Sequence, residues 1–226
     1  PLLSRLYAPD SLGTASLFTS IVTVLGVVSC LRYELAIMLP EKDEEAANLM
    51  AGSLLFATMI TALSLLLILF GGEAIGRLLN APDLTQYLWL LPPAVMAHAA
   101  YLPLNYWNSR AKRFGRLSIA KGMQSLVTSI VQLGLGLAAI ASAGGLLAGR
   151  ILGAAAVTVL VGVQTWRDDS RTMRASVDWN TVMAQLDRYK KFPIYNTWSA
   201  LLNSLSWQLP SFLLASFFST KVVGYY

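Results

Sequence analysis

Charge is scarce in this chain. Asp, Glu, Lys and Arg make up 13% of its 226 residues, apolar types make up 55% and the mean hydropathy is +0.56, where an ordinary soluble domain carries roughly 25% charge. That composition excludes a soluble enzyme and a disordered chain. Cysteine is almost absent. The single Cys30 cannot form an internal disulfide or a multi-cysteine metal site, and among apolar neighbours it reads as inert packing. His98 is the only histidine, and no second His, Cys or carboxylate stands at ligand spacing from it, so it reads as a bundle residue, with no metal and no cofactor expected. G-x-S-x-G, the P-loop, H-E-x-x-H and G-x-G-x-x-G are all missing, and the reading is non-enzymatic. Negative charge is the scarcer sign, which leaves +5 net and a pI near 9.5. The basic residues fall between apolar runs, which points to a membrane and not to nucleic acid.

What is present is a series of uncharged stretches: Ser11 to Leu31, Ala46 to Gly72, Leu84 to Ser109, Gly122 to Gly149, Ile151 to Trp166 and Phe192 to Thr220. A helix crosses a hydrocarbon core in about 20 residues. The pattern predicts an all-α, polytopic transmembrane bundle of about six spans, near 11–39, 46–72, 84–109, 122–142, 145–166 and within 192–226. The first runs on past Arg32 and Glu34, and a small-residue turn from Ala141 to Gly145 places Arg150 inside the fifth. Twelve Lys and Arg, among them Lys42, Arg116, Lys121 and Arg188, fall on one face; Arg5, Arg77 and Lys221 fall on the other. The basic face is expected in the cytoplasm. This topology puts Pro1 outside, so one helix is expected upstream of a chain that reads as a fragment. Residues 167–191 read as a cytoplasmic linker. Its apolar stripe of Trp179, Val182, Leu186 and Tyr189 predicts an amphipathic helix in the headgroup layer, the alternative being a solvated linker. The acidic cluster Glu41 to Glu45 suits the positive end of the second span.

Polar residues recur on one face of four spans: Ser16, Ser20, Thr23 and Glu34; His98, Tyr101, Asn105 and Asn108; Gln124, Thr128 and Gln132; Asn196, Ser199, Asn203 and Ser206. Such faces serve either interhelical hydrogen bonds or a wet cavity. Gly145, Gly149 and Gly153 allow close helix approach. Arg32, Glu34 and Arg150 are the costly residues, at about 2.5 to 3.5 kcal/mol for a charge at a span centre. On a continuous helix Arg32 and Glu34 would point about 200° apart and could not neutralise one another. Snorkelling to the headgroups is the alternative for both arginines.

Three segments carry a family resemblance: RLYAPDSLGTASLFTSIVTVLGVVSCLRYELAIMLPEKDEEAANL (5–49), YLPLNYWNSRAKRFGRLSIAKGMQS (101–125) and YKKFPIYNTWSALLNSLSWQLPSFLLASFF (189–218). Together they resemble the polysaccharide biosynthesis proteins, or Wzx-type oligosaccharide flippases, of the multidrug/oligosaccharidyl-lipid/polysaccharide exporter superfamily. The resemblance implies a two-lobe exporter fold. On that pattern residues 1–166 are a first lobe lacking its first helix, and 192–226 are the first helix of a second lobe. It implies alternating-access export of an undecaprenyl-diphosphate-linked oligosaccharide across a bacterial inner membrane. The expected partners are that lipid-linked glycan, membrane lipids and other polysaccharide-assembly proteins. Arg32 and Arg150 would grip the diphosphate. Glu34, His98, Tyr101, Asn105, Asn196 and Asn203 complete the expected substrate-binding set. A drug or metabolite exporter of the same superfamily is the rival, with a more acidic cavity expected; a membrane glycosyltransferase or ligase would need larger outer loops than residues 73–83 and 141–145 supply.

Overall fold

The computed structural model describes residues 6–138 and 142–226, and no strand occurs among them. Helices occupy all six expected stretches: α1 (Pro9–Val28), α2 (Asp43–Leu78), α3 (Leu91–Arg110), α4 (Phe114–Leu137), α5 (Ala143–Ser176) and, after the short α6 (Trp179–Arg188), α7 (Thr197–Phe217). By length and apolarity α1, α2 and α5 can cross a membrane. α3, α4 and α7, with 20, 24 and 21 residues, have spanning length but interrupt their apolar sequence with polar faces. α2 shows why the solvent must be lipid. Leu63, Leu66, Leu67 and Leu69 are half-exposed or more and Phe70 is 89% exposed, an apolar band that water would not tolerate on a monomer.

Several boundaries differ from the expectation. The first span does not run to residue 39: α1 ends at Val28, Leu31 and Arg32 adopt left-handed φ values of 48° and 62°, and a single turn follows at Tyr33–Ala36. The Ser29 hydroxyl donates to the Gly26 carbonyl at 2.7 Å, taking an acceptor from the end of the helix. α5 continues ten residues beyond Trp166, so the first part of the expected linker 167–191 is helical and only Val177 and Asp178 separate it from the amphipathic α6. Asp178 caps α6 by accepting from the Asn180 and Thr181 amides at 3.0 and 3.2 Å. Of the expected turn at 141–145, Ala141 lies outside the described residues, as does Arg5, and α5 is already helical from Ala143.

The α6 stripe packs on protein. Val182 and Leu186 are buried with Tyr33, Ile37, Leu49, Met50, Trp107 and Met173, and Tyr189 packs at the edge, whereas Trp179 is 62% exposed. The reason is a fitted seat: a Cβ on Gly52 of α2 would meet Leu186 at 2.9 Å, and the Tyr33 hydroxyl donates to the Leu186 carbonyl at 2.9 Å. Buried Asn48 fixes the elbow between α5 and α6, donating to the Ser176 carbonyl at 2.8 Å and accepting from the Asp178 amide at 3.2 Å. A second core lies toward the opposite end of the bundle, with Leu17, Phe18, Leu84, Leu88, Val95 and Leu147 at its centre.

α4 and α5 form a tight antiparallel hairpin, as the glycine spacing predicts. A Cβ on Gly149 would meet Gln132 at 2.5 Å, and one on Gly153 would overlap the Thr128 hydroxyl. α7 packs on α1, where Ser20 donates to Gln208 Oε1 at 2.8 Å.

Candidate functional site

A cavity of about 460 Å³ opens between α1, α3, α4 and α5. One wall is the polar face of α4, with Lys121, Gln124, Ser125, Thr128 and Ser129; the facing walls carry Thr19 and Thr23 of α1, His98 of α3 and Arg150 of α5 among apolar neighbours such as Phe18, Val22, Leu147 and Ile151. Two fixed cations and one imidazole line it, and none of its lining residues is a carboxylate. An interior so composed attracts anions, because partial exclusion of water strengthens each charge.

Each polar group has a definite support. Arg150 donates from Nη1 to Thr19 Oγ1 at 2.6 Å, and the Thr19 hydroxyl in turn donates to the Ala15 carbonyl at 2.7 Å. The Lys121 ammonium lies 4.4 Å from the centre of the Tyr101 ring and donates to Gln124 Oε1 at 3.2 Å, a cation held over an aromatic face. His98 rests on Gly26, where a Cβ would meet its Cδ2 at 2.5 Å. Only glycine at residue 26 lets α1 approach this imidazole.

The expected binding residues separate into three places. His98 and Arg150 line the cavity, and Tyr101 supports it from behind, donating through its hydroxyl to Asn105 Oδ1 at 3.2 Å. Arg32 and Glu34 sit instead at the broken end of the first span. There they pair at 3.6 Å, with Glu34 only 1% exposed and both Glu34 Oε2 and Arg32 Nε lacking a hydrogen-bond partner. The expectation that they cannot neutralise one another is corrected by the break at Leu31 and Arg32, which removes the helical phase on which it rested. Asn196 and Asn203 lie on an exposed face of the last span, away from the cavity; α7 turns Thr197, Ser204 and Ser211 inward. Other polar residues act as interhelical glue: Gln132, at the far end of the α4 face, donates to the Leu146 carbonyl at 2.9 Å, and Asn108 of α3 to Thr165 Oγ1 at 2.8 Å.

Lys121 is the residue that sequence reasoning placed elsewhere, in a solvated loop. α4 begins seven residues before it, and Lys121 continues the face of Gln124, Thr128 and Gln132 by one more helical step of three. That spacing was the available signal. Arg116, also expected to be solvated, is 21% exposed in its side chain and is paired with Asp168, and it donates to Asn108 Oδ1 at 3.1 Å. Beside it Arg113 grips Asp169 with two hydrogen bonds, at 2.5 and 2.8 Å, while the Trp107 indole donates to the same carboxylate at 2.8 Å. Those Arg113 bonds hold the Asp169 carboxyl below the usual carboxylate range, with the Trp107 bond adding to the effect. At the same end Arg110 donates to Asp43 Oδ1 at 3.0 Å and to the carbonyls of Ile37, Pro40 and Glu41. These arginines brace the bundle. Among the described residues no three His, Cys, Asp or Glu side chains come together as a metal site, and buried Cys30 donates only to the Ala99 carbonyl at 3.5 Å and packs with Ala57.

A family model described as "polysaccharide biosynthesis protein" matches residues 2–226. No curated protein and no solved structure gives a significant match.

Proposed function

This chain belongs to the polysaccharide biosynthesis protein family, and from that premise we propose that it is part of a flippase. The flippase carries an undecaprenyl-diphosphate-linked oligosaccharide from the cytoplasmic to the outer leaflet of a bacterial inner membrane. The observation that carries the reading is the cavity itself, open to Lys121, Arg150 and His98 and free of carboxylates along its lining. A diphosphate ester bears about two negative charges at neutral pH, and an arginine fork matches phosphate oxygens in geometry as well as sign. The hydroxyls and amides of Thr23, Gln124, Ser125, Thr128 and Ser129 offer the mixed donors and acceptors that a sugar requires. An exporter of cationic drugs would draw on carboxylates in the same place, and the lining supplies none. Alternating access of the lobes then moves the bound head group without any covalent step.

The test is export by the full-length protein in a host lacking its own copy. Arg150→Ala and Lys121→Ala should each reduce surface glycan at least about tenfold, the loss expected when a charge-assisted contact worth about 1.5 to 3 kcal/mol disappears. Arg171→Ala serves as the control, because Arg171 is exposed and makes no ion pair among the described residues. Normal glycan display from both cavity variants, with protein levels unchanged, would sink the reading.

A further inference from the structure

Resting on the anion-binding reading of the cavity, we infer that Lys121 and Arg150 are two successive anion stations at different depths of the bundle and not two halves of one clamp. The inference comes from helix register. On α1, Thr19 accepts from Arg150, while Gly26 lies against His98. The seven-residue step between them places the two contacts about 10 Å apart along the helix axis. The α4–α5 hairpin gives a comparable separation for Lys121 and Arg150. Gly149, beside Arg150, abuts Thr128 and Gln132, whereas Gly153 abuts Gln124 and Thr128. The hairpin is antiparallel, so Lys121 lies beyond Gly153 and Arg150 falls short of it. Their backbones therefore differ in depth by at least two helical turns, about 11 Å.

Both side chains are tethered where they stand, Lys121 to the Tyr101 ring and Gln124, Arg150 to Thr19. With the two cations held by different partners and their backbones two turns apart, a diphosphate, two phosphoryl groups sharing one oxygen, engages one of them at a time. Lys121 is nearer the basic end, within two turns of the start of α4, and Arg150 is within two turns of the start of α5 at the opposite end. Between them Ser125, Thr128 and Ser129 line the cavity. The diphosphate is received at Lys121, beside His98, and handed along these hydroxyls to Arg150. No bond is made or broken.

Inorganic pyrophosphate and longer linear polyphosphates are suitable probes, titrated calorimetrically into the purified full-length protein in detergent. Lys121→Gln and Arg150→Gln should each keep saturable pyrophosphate binding, weakened by no more than about tenfold, while the double variant binds none. In the unaltered protein, tetrapolyphosphate reaches both stations and should bind about tenfold or more tighter than pyrophosphate, and that step should shrink in either single variant. Complete loss of binding in either single variant, matching the double, would establish one clamp and overturn the two stations while leaving the anion cavity intact. Should a variant fail to insert, the polyphosphate series on the unaltered protein decides alone: no gain from pyrophosphate to tetrapolyphosphate overturns the inference. Undiminished pyrophosphate binding by the double variant overturns both the stations and the anion cavity.

Discussion

The arginines of this chain divide by what lies opposite them. Arg150 faces a cavity and rests on a single threonine hydroxyl, whereas Arg113 has its guanidinium spent on Asp169. The first can accept a ligand and the second holds a fold. The Asp169 pair makes a pH prediction. Its carboxyl sits below the usual range because Arg113 donates to it, so its stabilisation is fully present above about pH 4, the unfolded carboxylate value, and is lost as pH falls through the lower folded value. Asp169→Asn should therefore lower stability by about 2 kcal/mol at pH 7, and the gap to the unaltered protein should close in strong acid. Thermal unfolding of both proteins in detergent, from pH 7 to pH 3, measures the gap. A gap that stays constant over that range would remove the ion pair from the explanation.

Among the elements, α6 shows how tertiary packing selects from an amphipathic stripe. Val182 and Leu186 enter the core formed by Tyr33, Met50 and Trp107, and Trp179 stays outside it. Leu186→Ala should cost about 2 to 5 kcal/mol through the cavity it leaves against Gly52. Trp179→Asp should leave packing nearly unchanged, within about 0.5 kcal/mol, as expected of an exposed site. Backbone hydrogen exchange over residues 179–188 separates the two: faster exchange in the leucine variant alone is the expected result. Equal effects would mean that α6 is held by its exposed side as well. The α4–α5 hairpin is the contrasting case, because Gly149 and Gly153 admit only one close partner and the spacing alone announces it.

At the scale of the whole molecule, a bundle with its basic loops gathered at one end is expected to place that end in the cytoplasm. With Cys30 replaced by serine, Gly115→Cys and Arg171→Cys should react with a membrane-impermeant thiol reagent only from the cytoplasmic side, and Arg77→Cys only from outside. All three positions are exposed. Reaction from the reverse sides would invert the proposed direction from Lys121 to Arg150 without altering the cavity. The exposed leucines of α2 give the same orientation its lipid-facing surface.

The sequence by itself determined the helical class, the six long uncharged stretches and the family, because helix length against bilayer thickness and the residues of a family segment are local properties of the chain. It determined the glycine seam of α5 for the same reason. Only the tertiary structure decided which polar faces meet. The spacing of Asn196 and Asn203 is as regular as that of Gln124 and Thr128, yet only the second pair lines the cavity, since a periodic face says nothing about the neighbour it turns toward. The break at Leu31 and Arg32 was equally hidden. An extrapolated helix sets Arg32 and Glu34 on opposite sides, and two residues with left-handed backbones bring them together. Lys121 moved from loop to cavity because α4 starts two turns earlier than its charge pattern suggests. Charge marks where a chain can meet water, and packing decides whether that water is outside the protein or inside it.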